Sequence, residues 1–545
     1  MQKYYLEAKN RLHFTILLAL SSLNFFWRAN LDPNPLHDGY MYFTSLATTQ
    51  GLIPNKDYFS QYGPLFPFVQ GAILRLFGDE VIHLRFFNAL LLALITVTLY
   101  EIVRTKLSNF HSFLIGLLWI TGTSAGWTTL LPWVNVFTTF VFLISVFLYM
   151  SIQRNVVSVF RRTTYVLLSG ILLGSIPFLR IQTIPVFFAS MLIYLVVFRK
   201  LSQNLKLIGF GTLLSFAIFS FIFIHNGSFI PYIQQCLIWP LTYYAPQDYS
   251  IESLAPNIYF IAVPAFWIIS RRLIKRNWVF AIWTTLIFLV SLIYTSSHEL
   301  SYISLSRPDI LLNSMLNAIL GSFFYMVIMI AIYLFVRLIW IVFSQKQIDQ
   351  KTLVGIFPLL LAFSQLYPAW DPAHIWWVFP LIAVSFAMSS SVNFMSGAFS
   401  RYLPLILGIT IAGFLTSSSY LLQERDYYSV PLLKGMKSEP SVVNMLEDNL
   451  TSLVAIKARS MSTKFDCPDA IYAVSDSVVQ TSTPSFINWG PELNAGFTNF
   501  DYVFVCNQNI GYFDQIYGKD FRIIQILPSL DFPDKFNLIG QKIEK

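Results

Sequence analysis

The feature that most constrains the fold is a series of apolar runs, each about 15 to 22 residues long, along the first 420 positions. As helices, runs of this length span the roughly 30 Å hydrocarbon core of a bilayer. Only 12% of the residues are charged and 55% are hydrophobic, whereas soluble proteins are about one quarter charged. The chain is therefore predicted to be an all-α polytopic membrane protein.

We predict about 13 membrane-spanning helices in residues 1–420, which form one transmembrane domain. The first apolar run has no small-residue cleavage site and is followed by further spans, so it is predicted to be an uncleaved span. The predicted spans are 13–29, 83–103, 111–129, 132–152, 164–179, 183–198, 207–225, 257–270, 278–295, 314–340, 353–367, 375–391 and 402–420.

Basic residues are unevenly distributed along the chain. Residues 1–420 hold 25 Lys and Arg against 13 Asp and Glu, whereas residues 421–545 hold 11 against 15. The basic residues lie in every second connection, which follows the positive-inside rule and is not typical of a nucleic-acid surface. The N-terminus is therefore predicted to be cytoplasmic, with the 30–82 loop and the tail outside. The inner connections carry Arg104, Lys106, Arg154, Arg161, Arg162, Arg199, Lys200, Lys206, Arg271, Arg272, Lys275, Arg276, Lys346 and Lys351.

The stretch NPLHDGYMYFTS, at 34–45, follows the first apolar run and places an acid at the edge of the bilayer. The apolar spacing from Gly39 to Gln50 predicts a short amphipathic helix on the membrane surface. Asp38 directly precedes this helix and has two interpretations. It is either a helix N-cap that the dipole stabilises or the carboxylate of an active site.

The elements that follow Asp38 are GLIPNKDYF, then QYGPLFPF, then an Arg-bearing start of the second span, HLRFF. This order resembles the GT-C superfamily of membrane glycosyltransferases, most closely the branch of protein O-mannosyltransferases and lipid A aminoarabinose transferases. In that branch the first outer loop carries an acidic motif, then G-x-x-P-x-x-D and Y-x-P elements, and the donor is a polyprenyl-phosphate-linked sugar. The resemblance covers the first 100 residues well and the span count and tail more loosely.

The resemblance implies that Asp38 is the general base, which takes the proton of an acceptor hydroxyl during inverting transfer. Asp57 is implied to orient the acceptor or the base, and capping of the loop before Tyr58 is its other interpretation. Tyr62, in the Y-x-P element, is a substrate-binding candidate. His37 is also a substrate-binding candidate, although many relatives carry a second acid there, and this departure weakens the case for a metal held by adjacent carboxylates.

A donor phosphate needs cations on the outer side of the bilayer, and the planar fork of Arg matches phosphate oxygens. Arg85 starts the second span, Arg180 lies at the predicted outer hinge PFLRIQT, and Arg307 lies in the loop 296–313. Charges near the membrane are costly, so each Arg is a candidate phosphate ligand. Snorkelling to a lipid headgroup is the alternative for all three.

The segment YPAWDPAHIWWVFP places Asp371 and His374 at the outer start of the twelfth span. A similar D-x-x-H occurs at an outer helix start in bacterial GT-C relatives, which implies a contact with the donor phosphate or the acceptor. Ordinary capping is the alternative, because Pro suits the first helical turn. The sequence contains no motif for a nucleotide or for zinc hydrolysis. No cofactor is predicted with certainty, and a divalent cation (Mg²⁺ or Mn²⁺) stays open.

Residues 421–545 alternate helix-like and strand-like segments, which predicts a small extracytoplasmic α/β domain. This domain is expected to handle the acceptor or cover the cavity, or only to stabilise the membrane part.

We therefore predict an inverting glycosyltransferase of the plasma (inner) membrane. It moves a sugar from a polyprenyl-phosphate-linked donor to a glycan, lipid or protein acceptor outside, in contact with membrane lipids and without nucleic acid. The variant Asp38→Asn is expected to fold normally and to transfer no sugar. The alternatives are a transporter or flippase of lipid-linked sugars, which favours internal repeats that are not clear here, and an O-antigen ligase or polymerase, whose main loop comes late.

Overall fold

The fold is taken from a computed structural model of the chain. It describes residues 2–126, 131–154, 158–197, 201–238, 331, 350–366, 376–389 and 424–455, and in the tail 461–463, 502–508, 510–516, 518–528 and 536–543.

The described part of residues 1–420 is helical. The helices are α1 (Gln2–Arg28), α2 (Pro35–Thr49), α3 (Leu65–Phe77), α4 (Val81–Val103), α5 (Asn109–Gly126), α6 (Val134–Arg154), α7 (Val159–Ser175), α8 (Ile184–Val197), α9 (Gln203–His225), α10 (Phe229–Ile233), α11 (Gln350–Leu366) and α12 (Phe379–Ser389).

The predicted spans agree with these helices wherever the chain is described. The first seven overlap with α1 and α4 to α9, and the spans 353–367 and 375–391 overlap with α11 and α12. Among the described helices, α4, α6 and α9 are long and apolar enough by themselves to cross a membrane. The other four predicted spans lie outside the described residues, apart from Ala331, so the total of 13 stays a prediction.

Helices α7 and α8 are joined at a sharp break. Two 3₁₀ turns, Ile176–Phe178 and Ile181–Thr183, flank it, and the helical segments on its two sides are bent by 118°. The break contains Arg180 and lies where the sequence predicted a hinge. The bend therefore places Arg180 at the apex between two apolar helices.

The outward face of α9 has the pattern expected of a helix in lipid. Phe221 is 70% exposed, and Phe210 and Ile218 are also exposed, whereas most of the buried positions are small residues such as Gly211 and Ser215. Large side chains outside and small ones inside are typical of membrane helices, because small residues let helix backbones approach closely. Helices α7 and α9 pack in this way, and a Cβ added to Gly174 would lie 2.3 Å from the carbonyl oxygen of Thr212.

The first loop contains more helix than the sequence analysis predicted. Helix α2 begins at Pro35, not at Gly39, because Pro suits the first helical turn. Helix α3 was not predicted; it begins directly after Pro64, and its apolar residues pack towards α2 and α4. We call the side of the helices on which α2 and α3 lie the first-loop side.

The described tail contains helices and two sheets. Strands β1 and β2 form an antiparallel pair, and the larger sheet has the order β3-β4-β6-β5, with β3 and β4 parallel and the other pairs antiparallel. Whether residues 421–545 form a separate domain stays a prediction. The elements are β1 (Asp426–Tyr427), β2 (Lys437–Ser438), α13 (Pro440–Ala455), β3 (Met461–Thr463), β4 (Tyr502–Gln508), α14 (Ile510–Ile516), β5 (Phe521–Pro528) and β6 (Phe536–Lys542).

Candidate active site

Asp38 and Arg85 form a fully buried ion pair on the first-loop side. Nη2 of Arg85 donates to Oδ2 of Asp38 at 2.5 Å, and both side chains are 0% exposed. Nε of Arg85 lies 3.0 Å from Oδ1 and 3.1 Å from Oδ2. The pair joins the first turn of α2 to the first turn of α4. Two predicted site residues that are distant in sequence are therefore in direct contact.

Arg85 uses all of its five N–H donors within the protein. Nη1 donates to the carbonyl oxygens of Leu31, at 2.5 Å, and Ala29, at 3.4 Å. Nη2 donates to the carbonyl oxygen of Asp32 at 2.9 Å, in addition to its bond to Asp38. A guanidinium has five donors, so none is left for a donor phosphate in this arrangement. A role in holding Asp38 suits this geometry better than the predicted role as a phosphate ligand.

The carboxylate of Asp38 also stabilises the start of its own helix. Its Oδ2 accepts the backbone N–H of Asn34 at 2.7 Å, and the Asp38 N–H donates to the carbonyl oxygen of Asn34 at 2.9 Å. Asp38 therefore lies inside the first turn of α2, not ahead of it as an N-cap. As the capping interpretation expects, the carboxylate lies at a helix N-terminus, which stabilises it. Its position differs from the prediction, because Asp38 is the fourth residue of α2 and not the residue before the helix.

The two oxygens of Asp38 are not equally engaged. Among the described residues, Oδ1 accepts only from Nε of Arg85, whereas Oδ2 accepts from Asn34 and from two nitrogens of Arg85. A carboxylate oxygen has about two lone-pair positions, so Oδ1 keeps one for a further donor. Because the side chain of Asp38 is buried, a substrate hydroxyl reaches Oδ1 only if the residues that cover Asp38 move. Catalytic contacts often form only in the substrate complex.

Asp57 lies apart from this pair and is exposed. Its Oδ2 accepts the backbone N–H of Ile53 at 2.8 Å, and its own N–H donates to the carbonyl oxygen of Ile53 at 2.9 Å. This is the geometry of a loop-capping aspartate. Its predicted role in orienting a substrate stays a prediction, and the loop-capping interpretation has the better geometric support.

Tyr62 is partly buried and belongs to an aromatic group on the first-loop side. Its ring centroid lies 5.8 Å from that of Trp133 and 6.2 Å from that of Tyr40. Burial raises the pKa of the Tyr62 phenol, and the nearby Arg180 cation partly offsets this effect. Tyr62, predicted from the Y-x-P element, is therefore close to Arg180, predicted from the hinge.

Arg180 is 3% exposed and lies at the apex of the break between α7 and α8. Its Nε donates to Oε1 of Gln182 at 3.3 Å, and its carbonyl oxygen accepts from the hydroxyl of Thr183 at 2.6 Å. Burial removes snorkelling to bulk headgroups as the explanation of this cation. A guanidinium beside a phenol and a side-chain amide is a suitable anion site.

The first loop is fixed to the hinge beside Arg180 by Gly63. The Gly63 N–H donates to the carbonyl oxygen of Leu179 at 2.9 Å, and a Cβ added to Gly63 would lie 2.0 Å from the carbonyl oxygen of Phe178. Only glycine permits this approach of two backbones.

Gly63→Ala is expected to lower stability by about 1–3 kcal/mol or more, because backbone atoms on both sides have to move. Thermal unfolding of the purified protein measures the effect. The control Gly211→Ala, whose new Cβ would lie 3.3 Å from its nearest atom, is expected to change stability much less. Equal losses in the two variants would contradict the proposed importance of the loop–hinge contact.

The segment after α9 also holds the first loop. Nδ2 of Asn55 donates to Oε1 of Gln235 at 2.9 Å, and Nε2 of Gln235 returns a bond of 2.9 Å to the carbonyl oxygen of Asn55. The thiol of Cys236 donates to the carbonyl oxygen of Ser60 at 3.1 Å. The sequence carries no signal for these contacts, since Gln235 and Cys236 belong to no motif and Asn55 occupies a variable position of the G-x-x-P-x-x-D element.

An apolar cavity of about 220 Å³ lies between α6, α7, α8, α9 and α11. Phe142, Phe187 and Phe357 line its apolar walls, and Ile176 and Thr183 line the part next to the hinge. Because the Thr183 hydroxyl bonds to the carbonyl oxygen of Arg180, this part of the cavity adjoins the backbone of the hinge that carries Arg180. An apolar cavity next to a hinge that carries a buried cation suits a lipid with an anionic head.

The remaining predicted residues add nothing to this geometry. Arg307, Asp371 and His374 lie outside the described residues, as does the side chain of His37, although its backbone belongs to α2. The described residues do not fit a divalent cation at Asp38. Its oxygens face a guanidinium, and no group of three His, Cys, Asp or Glu side chains suited to a metal occurs in the described part of the chain.

The described apolar helices are typical of an integral membrane protein. Residues 61–225 match the family described as dolichyl-phosphate-mannose-protein mannosyltransferase. The match contains Tyr62, Arg85 and Arg180, whereas Asp38 and Asp57 precede it. It confirms the predicted resemblance to GT-C enzymes and the enzyme class, over the part of the chain that it covers. No curated protein matches the chain.

The chain is also similar to solved structures of low identity. An oligosaccharyltransferase of Archaeoglobus fulgidus, in complex with Zn and sulfate, is 13% identical with a TM-score of 0.49, over 91% of this chain and 68% of that chain. The oligosaccharyltransferase AglB from the same organism, in complex with an inhibitory peptide and a dolichol-phosphate, is 12% identical with a TM-score of 0.49, over 93% and 70%. ArnT from Cupriavidus metallidurans, bound to undecaprenyl phosphate, is 12% identical with a TM-score of 0.44, over 98% of each chain.

Proposed function

We propose that the protein transfers a sugar from a polyprenyl-phosphate-linked donor to an acceptor hydroxyl on the extracytoplasmic side of the membrane. The observation that carries this proposal is the apolar cavity whose lining at Ile176 and Thr183 adjoins the hinge that carries the buried Arg180. A polyprenyl chain needs an apolar space, and its phosphate needs a cation at the end of that space. The family match, which includes Arg180, supports the same donor class.

In the proposed reaction the acceptor oxygen attacks the anomeric carbon as the bond from that carbon to the phosphate oxygen breaks. The sugar is joined to the acceptor with inverted configuration at the anomeric carbon. The leaving group is the polyprenyl phosphate, which takes the electron pair of the broken bond and gains one negative charge. The hydroxyl proton moves to Oδ1 of Asp38, which Arg85 orients. Arg180 stabilises the charge that develops on the phosphate. No step runs through a metal ion.

The donor and acceptor sites are linked through the aromatic group on the first-loop side. Tyr40 lies on α2, two positions after Asp38, and its hydroxyl accepts the backbone N–H of Gln61 at 2.7 Å. Its ring contacts Tyr62, which lies close to Arg180. A continuous set of packed residues therefore joins the proposed base to the proposed phosphate site.

A transfer assay tests the function. The purified protein in liposomes is given polyprenyl phosphates that carry different radiolabelled sugars, with candidate acceptors and with or without a chelator. The expected result is label covalently joined to an acceptor, with release of polyprenyl phosphate. Label that crosses the membrane and stays lipid-linked would refute transfer and support a flippase. Loss of activity with the chelator would refute the metal-free scheme.

Filling the apolar cavity is expected to impair the use of long-chain donors. Ser190 lines the cavity on α8, whereas Leu192 is 64% exposed two positions away. Ser190→Trp is expected to raise the KM for a full-length polyprenyl donor at least tenfold, about 1.4 kcal/mol, because the indole occupies the space of the chain. The KM for a donor too short to enter the cavity is expected to change little.

Leu192→Trp provides the matched control, since it adds the same side chain on the outward face of α8. It is expected to leave both KM values within about twofold, or about 0.4 kcal/mol. Equal effects of Ser190→Trp on long and short donors would contradict the placement of the lipid chain in the cavity.

A further inference from the structure

Asp32 connects the described tail to the buried ion pair. Its carboxylate forms an ion pair with Nη1 of Arg425 and accepts from the hydroxyl of Ser438 at 3.1 Å. Its own backbone carbonyl accepts from Nη2 of Arg85 at 2.9 Å. One residue of the first loop therefore binds the tail through its side chain and holds Arg85 through its backbone.

The backbone around Asp32 is also paired with strand β2 of the tail. The Asp32 N–H donates to the carbonyl oxygen of Lys437 at 2.9 Å, and the Lys437 N–H donates to the carbonyl oxygen of Asn30 at 2.8 Å. The segment 29–32 supplies three carbonyl acceptors to Arg85. The tail therefore fixes the backbone segment that fixes Arg85.

The conformation of Asp32 gives this attachment an energetic role. Its φ is +46°, in the left-handed region that costs a residue with a Cβ about 1–2 kcal/mol. The bonds that Asp32 accepts from Arg425 and Ser438, and the bond that its N–H donates to Lys437, hold the residue in this conformation. If they are removed, relaxation of φ turns the Asp32 carbonyl, which is an acceptor of Arg85.

The start of α4, which carries Arg85, is packed against the same part of the tail. Leu433 and Met436, both 0% exposed, belong to one apolar cluster with Ile82 and Leu84 at the start of α4. A Cβ added to Gly435 would lie 3.2 Å from Cδ1 of Ile82. The tail thus packs against the turn of α4 that carries Arg85, and against the segment 29–32 that receives its bonds.

We propose that Arg425 and Ser438 are positioning residues for the candidate active site, which they act on through Asp32, Arg85 and Asp38. The proposal rests on the proposed function for its catalytic consequence, although the mechanical coupling does not require it. The described tail segment 424–439 is then part of the active-site scaffold. Without Arg425, the orientation of the Asp38 carboxylate towards an acceptor loosens while donor binding at Arg180 continues.

Kinetics of tail variants test the consequence. Arg425→Ala is expected to lower kcat at least tenfold, with the KM for the donor changed less than twofold. Arg425→Lys is expected to recover part of kcat, because it keeps a cation near Asp32. The control Arg522→Ala removes an exposed Arg of β5, whose Nη2 donates to Oε1 of Gln541 at 3.3 Å, and it is expected to keep wild-type kcat.

Amide hydrogen exchange tests the coupling without any activity. In Arg425→Ala, exchange is expected to speed up at Asp32 and Lys437 and also at Asp38, whose N–H closes the first turn of α2. Faster exchange confined to Asp32 and Lys437 would overturn the proposal, because the tail would then be only a local attachment. If the wild-type protein transfers no sugar, the proposed function fails, and exchange at Asp38 still decides whether the tail positions the pair.

Discussion

Asp38→Asn is expected to abolish sugar transfer and also to destabilise the protein. Loss of a general base lowers kcat by about 10²–10⁴. Removing one partner of a buried ion pair leaves the other charge uncompensated and costs about 3–5 kcal/mol. Because Asp38 and Arg85 are both 0% exposed, the expectation from sequence that this variant folds normally is corrected. An inactive single variant therefore does not separate catalysis from folding.

A double variant separates the two roles of Asp38. Asp38→Asn combined with Arg85→Gln removes both charges and leaves two amides that can bond to each other. It is expected to regain much of the stability lost in Asp38→Asn, measured by thermal unfolding, while transfer stays at least about 100-fold below wild type. Recovery of both stability and transfer would show that Asp38 is only a partner of Arg85.

An acidic residue of α4, Glu101, supplies the control for this comparison. Glu101 forms an ion pair with Arg104 at 2.6 Å, and their side chains are 16% and 26% exposed. Glu101→Gln is expected to cost about 1 kcal/mol or less, because partly exposed pairs contribute little, and to leave transfer unchanged. A loss of transfer in this variant would indicate general sensitivity to charge removal instead of a role specific to Asp38.

The positions of the helices could be predicted from sequence because the bilayer demands long apolar runs. This demand does not extend to the first loop, where the elements are short. Helix α2 begins four residues earlier than predicted because Pro35 starts it. Helix α3 was not predicted, because the motif QYGPLFPF, whose last four residues form its first turn, was taken as part of the loop. In both places the prolines act as helix starts.

The partners of the site residues could not be predicted from sequence. Asp38 and Arg85 were each predicted to be functional, but they are 47 positions apart and no periodicity relates them. The distance from Asp32 to Arg425 is 393 positions, and neither residue belongs to a motif. Such contacts depend on which helices become neighbours, and helix packing is determined by tertiary contacts along whole helix faces. The family resemblance predicted candidate residues without their pairing.

Arg180→Met is expected to lower kcat/KM more than any other single change described here apart from Asp38→Asn. Methionine keeps most of the volume of the side chain but removes the cation, so the lipid phosphate loses charge-assisted hydrogen bonds. Loss of a preorganised donor to a developing charge costs about 3–4 kcal/mol, or about 10²–10³ in kcat/KM. Arg180→Lys is expected to be intermediate, because lysine keeps the charge without the planar fork.

Binding of undecaprenyl phosphate, measured as inhibition of transfer, identifies the step that Arg180 serves. The inhibition constant is expected to rise about 100-fold in Arg180→Met, equivalent to about 2.7 kcal/mol, because the proposed product carries the phosphate that the guanidinium is proposed to bind. Arg162 bonds to Asn204 at 2.9 Å near the N-terminal ends of α7 and α9, and the hinge lies at the other end of α7. Arg162→Met is therefore the control and is expected to leave inhibition unchanged. If Arg180→Met keeps wild-type inhibition and instead raises the KM for the acceptor, the cation belongs to the acceptor site. The apolar cavity beside it would then hold an acceptor lipid, since its lining at Ile176 and Thr183 is next to this residue.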